Sequence, residues 1–506
     1  MKRDHLLAID QGTTSTRAVL YDSELGPIGQ AQIEVPPTYP RPGWVEHDAT
    51  AIAGSMSAMV ARVLAEHGIS PQRIAAVGIT NQRETTVIWD RATGEPIGPA
   101  LVWQDRRTAD HCASPGLQAR EQEIRRRTGL VLDPYFSATK IAWLLDHVPQ
   151  ARSRAEAGEL AVGTIDTWLI WRLTQGKYHV VDVTNASRML LMDLDTGQWS
   201  KDLCEYFGVP LQILPTIVPS SGIVGETQGC LGVPDGLPIA GIAGDQQASL
   251  AGQGGFGPGL AKCTYGTGAF LLAHTGSRLL HSRNGLITTA AARVGADASR
   301  PAYALEGSVF VAGAAVQWFR DGLKAVGAAP EIDRLCLDAD PLSGVLFVPA
   351  LTGLGAPHWM PEARGTMFGL TRATSLADLA RATLEGVAYQ VADLIQAVQA
   401  DLPTPLTELR VDGGMARSDP FLQFQADLTG LTLRRSSQTE STALGAAILA
   451  GMGVGLWPDL ESVQSRLAAT GQVFPPRNDE TWRAHAMSRW NHAIETVTRH
   501  YRETPQ

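Results

Sequence analysis

A strand, a glycine turn rich in hydroxyls and a second strand open the chain over residues 5–22 (HLLAIDQGTTSTRAVLYD), and a similar unit returns over residues 262–272 (KCTYGTGAFLL). In the first unit, residues 6–9 and 18–21 are apolar runs, Gly12 permits a tight turn, and Thr13, Thr14, Ser15 and Thr16 line it with hydroxyls and backbone N–H groups. Such a turn suits a phosphate. Asp10, at the end of the first strand, would repel a bare phosphate but would hold a hydrated Mg²⁺ that bridges to one. D-x-G-T alone is short and equally describes a Thr-rich hairpin with a solvated Asp. The recurrence is a hint of internal duplication and predicts two similar domains. Length agrees: 506 residues exceed the roughly 250–300 at which a single core stops growing.

A composition of 44% hydrophobic and 18% charged residues is that of an ordinary globular protein, and a formal charge of −9 argues against a nucleic-acid or anionic-membrane surface. Small molecules are the expected partners. Five cysteines without a C-x-x-C pair suggest neither a disulfide framework nor a zinc site and fit a reducing cytoplasm. The apolar run after Lys2 and Arg3 is too short for a signal peptide, so no export is expected. The longest uncharged window, 441–458, is interrupted by Gly445, Gly451, Gly453 and Gly455. It reads as a small-residue helix packed inside a domain rather than a membrane span.

Along the chain, apolar spacing predicts a helix after Asp48, which is placed to cap it. Residues 74–80 read as a buried strand that ends in Asn81-Gln82-Arg83-Glu84-Thr85, and polar groups at a strand end mark sites in α/β folds. Pattern does not separate strand from helix at 164–173 (TIDTWLIWRL), and Arg125, Arg126 and Arg127 read as a solvated face. Residues 220–268 have the glycine and proline content of a domain junction, and within them an apolar run, 239–244, delivers Asp245 and Gln246. Asp245 is there a candidate general base or, alternatively, a helix cap. The cleanest helix spans 375–402 with Ser375 and Asp378 as a capping box, and 409–412 forms a strand running into Gly413-Gly414. The G-x-G-x-x-G match at 252–257 has no strand before it, and no P-loop or protein-kinase motif occurs, so nucleotide binding rests on the hairpins.

The segments IDQGTTSTR, GWVEHD, GITNQRETTVIW, VWQDRRT, GTIDTWLIW, TNASRMLL, GIAGDQQASL, TYGTGAF, YALEG, GLGAPHW and VDGGMARSD together resemble the FGGY carbohydrate kinases, with matches from about Leu6 to about Trp457. The resemblance implies an α/β fold of two actin-like (ribonuclease H-like) domains, 1–252 and 253–506, with an active-site cleft between them. It implies ATP- and Mg²⁺-dependent phosphorylation of glycerol to sn-glycerol 3-phosphate by a cytoplasmic homodimer or homotetramer with no membrane segment. By the same resemblance, Asp10 serves Mg²⁺ through water, and Thr13, Thr14, Ser15 and Arg17 attend the ATP phosphates. Gly266 and Thr267 form the facing phosphate turn, while Gly313, Gln317, Gly414 and Ser418 line the nucleotide. Glycerol would be held by Arg83, Glu84, Trp103, Tyr135, Asp245, Gln246 and Phe270, a set with both hydroxyl partners and aromatic walls. Ser418 stands where Asn is common in the family, and His358 and Met360 where Tyr and Asp are. Two other functions compete: a kinase for another polyol or ketose, and an actin-like ATPase that transfers no phosphate to a metabolite.

Overall fold

The computed structural model describes residues 3–294, 301–436, 440–468 and 471–503. Two sheets organise it. The strands of the first are β1 (His5–Gln11), β2 (Ser15–Asp22), β3 (Pro27–Glu34), β4 (Ile74–Asn81), β5 (Ser221–Glu226) and β6 (Pro238–Gly244), in the spatial order β5-β6-β4-β1-β2-β3. Those of the second are β7 (Leu260–Tyr265), β8 (Ala269–Gly276), β9 (Ile287–Ala290), β10 (Tyr303–Val309), β11 (Glu408–Asp412), β12 (Thr432–Arg435) and β13 (Gln472–Phe474), in the order β9-β10-β8-β7-β11-β12-β13.

One topology is used twice. In the first sheet β1 pairs antiparallel with β2 and β2 with β3, while β1 pairs parallel with β4 and β4 with β6. In the second, β7 pairs antiparallel with β8 and β8 with β10, while β7 pairs parallel with β11 and β11 with β12. An antiparallel edge strand closes the parallel side of each, β5 and β13 respectively. Both expected hairpins are therefore the first hairpin of a repeated α/β domain.

Six helices pack around these sheets and bear on the site: α1 (Ala49–Glu66), α2 (Asp245–Gly252), α3 (Leu376–Asp401), α4 (Asp419–Thr429), α5 (Ser441–Gly453) and α6 (Glu480–Glu503). Asp48 caps α1 by accepting from the N–H groups of Thr50 and Ala51, and Ser375 and Asp378 cap each other's backbone at α3. The ambiguous stretch at 164–173 is a helix, Ile165–Leu173, buried on nearly every side, which is why periodicity could not reveal it. Arg125 and Arg126 are exposed as expected, but Arg127 is not: it donates to Asp193 at 2.9 Å and to Asp202 at 2.8 Å. The last fifty residues, which carry no motif, supply α6; its Trp490 stacks on Tyr389 of α3 and donates to Asp393 at 2.8 Å.

The glycine-rich stretch at 220–268 is less a linker than its composition suggests, because β5 and β6 lie inside the first sheet. The glycines serve close packing against α5. A Cβ on Gly78 of β4 would lie 2.2 Å from the Ala446 carbonyl oxygen, and one on Gly241 of β6 would lie 2.3 Å from the Ala450 nitrogen. Where α5 crosses α2, a Cβ on Gly445 would meet the Ala248 carbonyl oxygen at 1.8 Å, and one on Gly252 the Ser441 carbonyl oxygen at 1.9 Å. The uncharged window 441–458 is thus the expected small-residue helix, and no helix among the described residues is long and apolar enough to cross a membrane.

Gly445→Ala should accordingly lower stability by about 1–3 kcal/mol, the usual cost of overpacking. A urea midpoint equal to that of the unchanged protein would show that α2 and α5 part freely.

Candidate active site

Parallel pairing brings the ends of β1, β4 and β6 together, since Gln11 lies opposite Asn81 and Asn81 opposite Gly244. Asp10, the segment Asn81–Glu84 and Asp245 therefore share one edge of the first sheet, outside the carboxyl ends of its parallel strands, where α/β folds bind ligands. The turn after β1 is closed by the Gly12 N–H donating to the Ser15 carbonyl at 2.9 Å. Thr13 accepts at Oγ1 from Trp103 Nε1 at 2.8 Å, and the Trp103 and Tyr135 rings meet edge to face with centroids 5.6 Å apart. An aromatic wall thus stands beside the first turn.

Arg83 is the centre of the floor. Its guanidinium donates to both carboxylate oxygens of Glu306, at 2.6 and 2.7 Å, and to Gln247 Oε1 at 3.2 Å. Its Nε lies 3.3 Å from Asp245 Oδ1 and 3.7 Å from Glu84 Oε1. Glu84 has φ +59°, a left-handed backbone uncommon for a residue with a side chain, and its carbonyl accepts from the Thr86 and Ser137 hydroxyls at 3.0 and 2.9 Å. Asp245 begins α2 but does not cap it: Gly244 occupies the cap position, and among the described residues the Asp245 carboxylate, one-third exposed, accepts from the Gln246 N–H and faces Arg83.

Glu306 belongs to β10 of the second sheet, so the Arg83 pair crosses between the domains. Lys262 of β7 crosses too, donating to Gln246 Oε1 and, at 2.9 Å, to Thr264 Oγ1. Phe270 pairs with Thr264 and with Ser308, two residues along from the Leu272–Glu306 pair, and so shares the sheet face of Lys262 and Glu306. It makes no ring contact with Trp103 or Tyr135.

Burial and charge set the protonation states. Burial would raise the Glu306 carboxyl, but Arg188 and Arg83 override it and hold it at about 2. Burial raises Glu84 against the pull of the same two arginines, and it raises the Tyr135 phenol and lowers the Lys262 ammonium. Asp10 is pushed up to about 6 by burial, opposed by Arg17 and reinforced by the charge of Asp245.

In the second sheet the ends of β7 and β11 lie together, with Thr264 opposite Asp412. Three glycine segments converge there. Ala312 and Gly313 N–H groups donate to the Thr267 and Gly266 carbonyls, both at 2.9 Å, and Gly413, at φ +91°, sits where a Cβ would strike the Tyr265 carbonyl at 2.4 Å. Gly266, Thr267 and Gly414 remain exposed, as does the Gln317 side chain. Two expected nucleotide residues are already engaged: the Ser418 hydroxyl caps α4 and donates to Asp333 at 2.6 Å, and Arg17 is paired with Glu440 just before α5, with Asp10 at 3.9 Å. His358 makes an equivalent local contact, with Asp393 at 2.8 Å.

Arg188, Glu306 and Lys262 had no assigned role from sequence. A signal existed, since LAKCTY and YALEG each set one charge inside an otherwise apolar strand, and a charge there is buried only with partners. Among the described residues no group of three or more His, Cys, Asp or Glu could cage a metal ion. Asp10 and Asp245 fit instead a hydrated cation shared with another anion, because the charge of Asp245 is felt at Asp10 and among the described residues neither has an ion pair closer than 3.3 Å.

Two domains of one topology, joined across a floor of paired charges and each presenting a turn to the gap, define a two-domain α/β small-molecule kinase. Residues 5–252 match the N-terminal domain, and residues 261–454 the C-terminal domain, of the FGGY family of carbohydrate kinases. The chain belongs to that family. A glycerol kinase of Alkalilimnicola ehrlichii is 52% identical over 489 residues, covering 97% of each chain, and one of Trichlorobacter lovleyi is 51% identical, covering 97% of this chain and 98% of that one. Among solved structures, Plasmodium falciparum glycerol kinase with ADP superposes with a TM-score of 0.92 at 37% identity, covering 98% of both chains. A ligand-bound xylulose kinase from Lactobacillus acidophilus, at 21% identity over 97% of both chains and a TM-score of 0.86, shares the fold.

A carboxyl held at about 2 against an ordinary 4.5 contributes stability that is complete above 4.5 and is lost as pH falls through about 2. Glu306→Gln should therefore lower the urea midpoint most at neutral pH, with the gap to the unchanged protein narrowing on acidification across that window. A gap constant down to pH 2 would mean that the pairing does not hold the proton off.

Proposed function

We propose that the chain transfers the γ-phosphoryl group of ATP to a terminal hydroxyl of glycerol, giving sn-glycerol 3-phosphate and ADP. The observation that carries this is the meeting of Arg83, Glu84 and Asp245 at the strand ends, beside the Trp103–Tyr135 wall and the Thr13 turn. A guanidinium and two carboxylates offer donors and acceptors to vicinal hydroxyls, and the rings cover a thin hydrocarbon face. Relatives called glycerol kinase at about half identity over nearly the whole chain favour glycerol over another polyol or ketose.

Asp245 accepts the proton of the attacking hydroxyl, for which its one-third-exposed carboxylate at the strand ends is suited. Arg83, Glu84, Gln246 and Phe270 orient the substrate. The partly exposed turn at Thr13–Ser15 and the exposed Gly266–Thr267 turn offer hydroxyls and backbone N–H groups to the phosphates, with Gly313, Gln317 and Gly414 along the nucleotide. Mg²⁺, held through water by Asp10, would neutralise charge on the phosphates. On this reading 1–252 supplies the acceptor site and 253–506 the nucleotide site. A cytoplasmic homodimer or homotetramer is the corresponding assembly, which light scattering on the purified protein decides.

ADP release should depend on glycerol, and 1,2-propanediol, which lacks one hydroxyl, should be poorer by up to ~10⁴ in kcat/KM, because the site's buried polar groups are left unmatched. Hydrolysis of ATP indifferent to glycerol would instead indicate an ATPase, and equal use of the two alcohols would remove Arg83 and Glu84 from the site. Asp245→Asn should keep the fold and lower kcat by about 10²–10⁴. Turnover within a few-fold of the unchanged enzyme would exclude Asp245 as the base.

A further inference from the structure

Arg188 has no role in the phosphoryl transfer as proposed above, yet it is among the most deeply buried large side chains. It follows the short helix Val183–Ala186 and reaches the floor of the cleft, where its Nε donates to Glu84 Oε1 at 2.5 Å and its Nη2 lies 3.3 Å from Glu306 Oε1. The guanidinium sits 5.4 Å from the Tyr135 ring centroid and 5.1 Å from that of Phe136, so its aim is fixed by rings on one side and carboxylates on the other. Neither terminal nitrogen has a hydrogen-bond partner among the described residues. The Arg188 charge is set against the carboxylates of Glu84 and Glu306.

The groups facing Glu84 make the need for that charge plain. Arg83 is committed to Glu306 through two hydrogen bonds and approaches Glu84 only to 3.7 Å. Lys140, from the helix Ser137–His147, spends its donors on the carbonyls of Pro134, Tyr135 and Phe136. Tyr135 is neutral, and the Glu306 carboxylate opposes a negative charge on Glu84. Arg188 is thus the cation hydrogen-bonded to the Glu84 carboxylate.

We propose that Arg188 is a positioning residue that keeps Glu84 ionised and aimed, so that Glu84 accepts a hydrogen bond from a substrate hydroxyl at physiological pH. The proposal rests on the reading that Glu84 touches substrate. Without the cation, burial leaves the carboxyl protonated to higher pH, and a protonated Glu84 offers the substrate one acceptor fewer.

Glycerol KM, ATP KM and kcat of Arg188→Met are measured between about pH 6 and about pH 9, beside Arg188→Lys and Glu84→Gln. Arg188→Met should raise glycerol KM by about tenfold or more at neutral pH, consistent with losing a hydrogen bond to a charged group, and should leave ATP KM alone. The defect should shrink as pH rises and Glu84 ionises. Arg188→Lys, which keeps the charge, should recover most of the affinity with a flat profile. If Arg188→Met does not fold, Arg188→Gln takes its place with the same expectation. A glycerol KM near that of the unchanged enzyme, a raised KM that is flat in pH, or a loss confined to kcat and thermal stability overturns the proposal. Glu84→Gln separates the two readings: if its glycerol KM is unchanged, the substrate role of Glu84 fails and the proposal falls with it; if its KM rises while Arg188→Met stays normal, only the role of Arg188 is lost.

Discussion

Helix α5 comes from the second half of the chain yet packs on β4 and β6 of the first sheet, and it does so with backbone against backbone. At Gly78, Gly241, Gly252 and Gly445 any added carbon would lie within 2.3 Å of a main-chain atom of the opposing element. That closeness is what ties the domains into one body. It sets the start of α2, and therefore Asp245, relative to the ends of β4 and β1. It also lets Ser249 and Gln253, from α2 and the residue after it, and Ser441 of α5 converge on one carboxylate, Asp412, which ends β11 immediately before the exposed glycines 413 and 414. Small residues chosen for contact thus register the two sets of strand ends against each other.

The second tie is electrostatic and lies at the floor. Removing a single partner from a buried ion pair typically costs about 3–5 kcal/mol, because the survivor is left charged and unsolvated. The alternation Glu84, Arg188, Glu306 and Arg83 shares that cost among two cations and two anions. The arrangement is weak evidence for stability in itself. It does fix which way each head group points.

Local pattern made much of this legible. The first hairpin, the capping box of α3, the cap of α1 and the small-residue helix α5 follow from apolar spacing, turn chemistry and glycine placement, and the repeat of strand, glycine turn and strand foretold a duplicated topology. The helix Ile165–Leu173 stayed hidden because burial on nearly every side erases periodicity. The charges at Arg188, Lys262 and Glu306 stayed unassigned for a different reason: their partners lie on other elements, up to 223 residues away in the case of Arg83 and Glu306, and no window along the sequence contains both members. Arg17 and Ser418 were legible as polar groups near glycine turns, but their pairings with Glu440 and Asp333 come from tertiary contact alone.

The repeated topology also separates two rates of change. At the strand ends of the first sheet the polar groups are those of side chains, Asp10, Arg83, Glu84 and Asp245, each open to replacement through one codon. At those of the second the turns present mainly backbone, where Gly313 and Gly413 have no room for a Cβ. A backbone N–H survives most substitutions around it, whereas a carboxylate does not survive its own. In a lineage built on this plan, the side-chain groups of one half are free to drift while the backbone turns of the other are inherited almost unaltered.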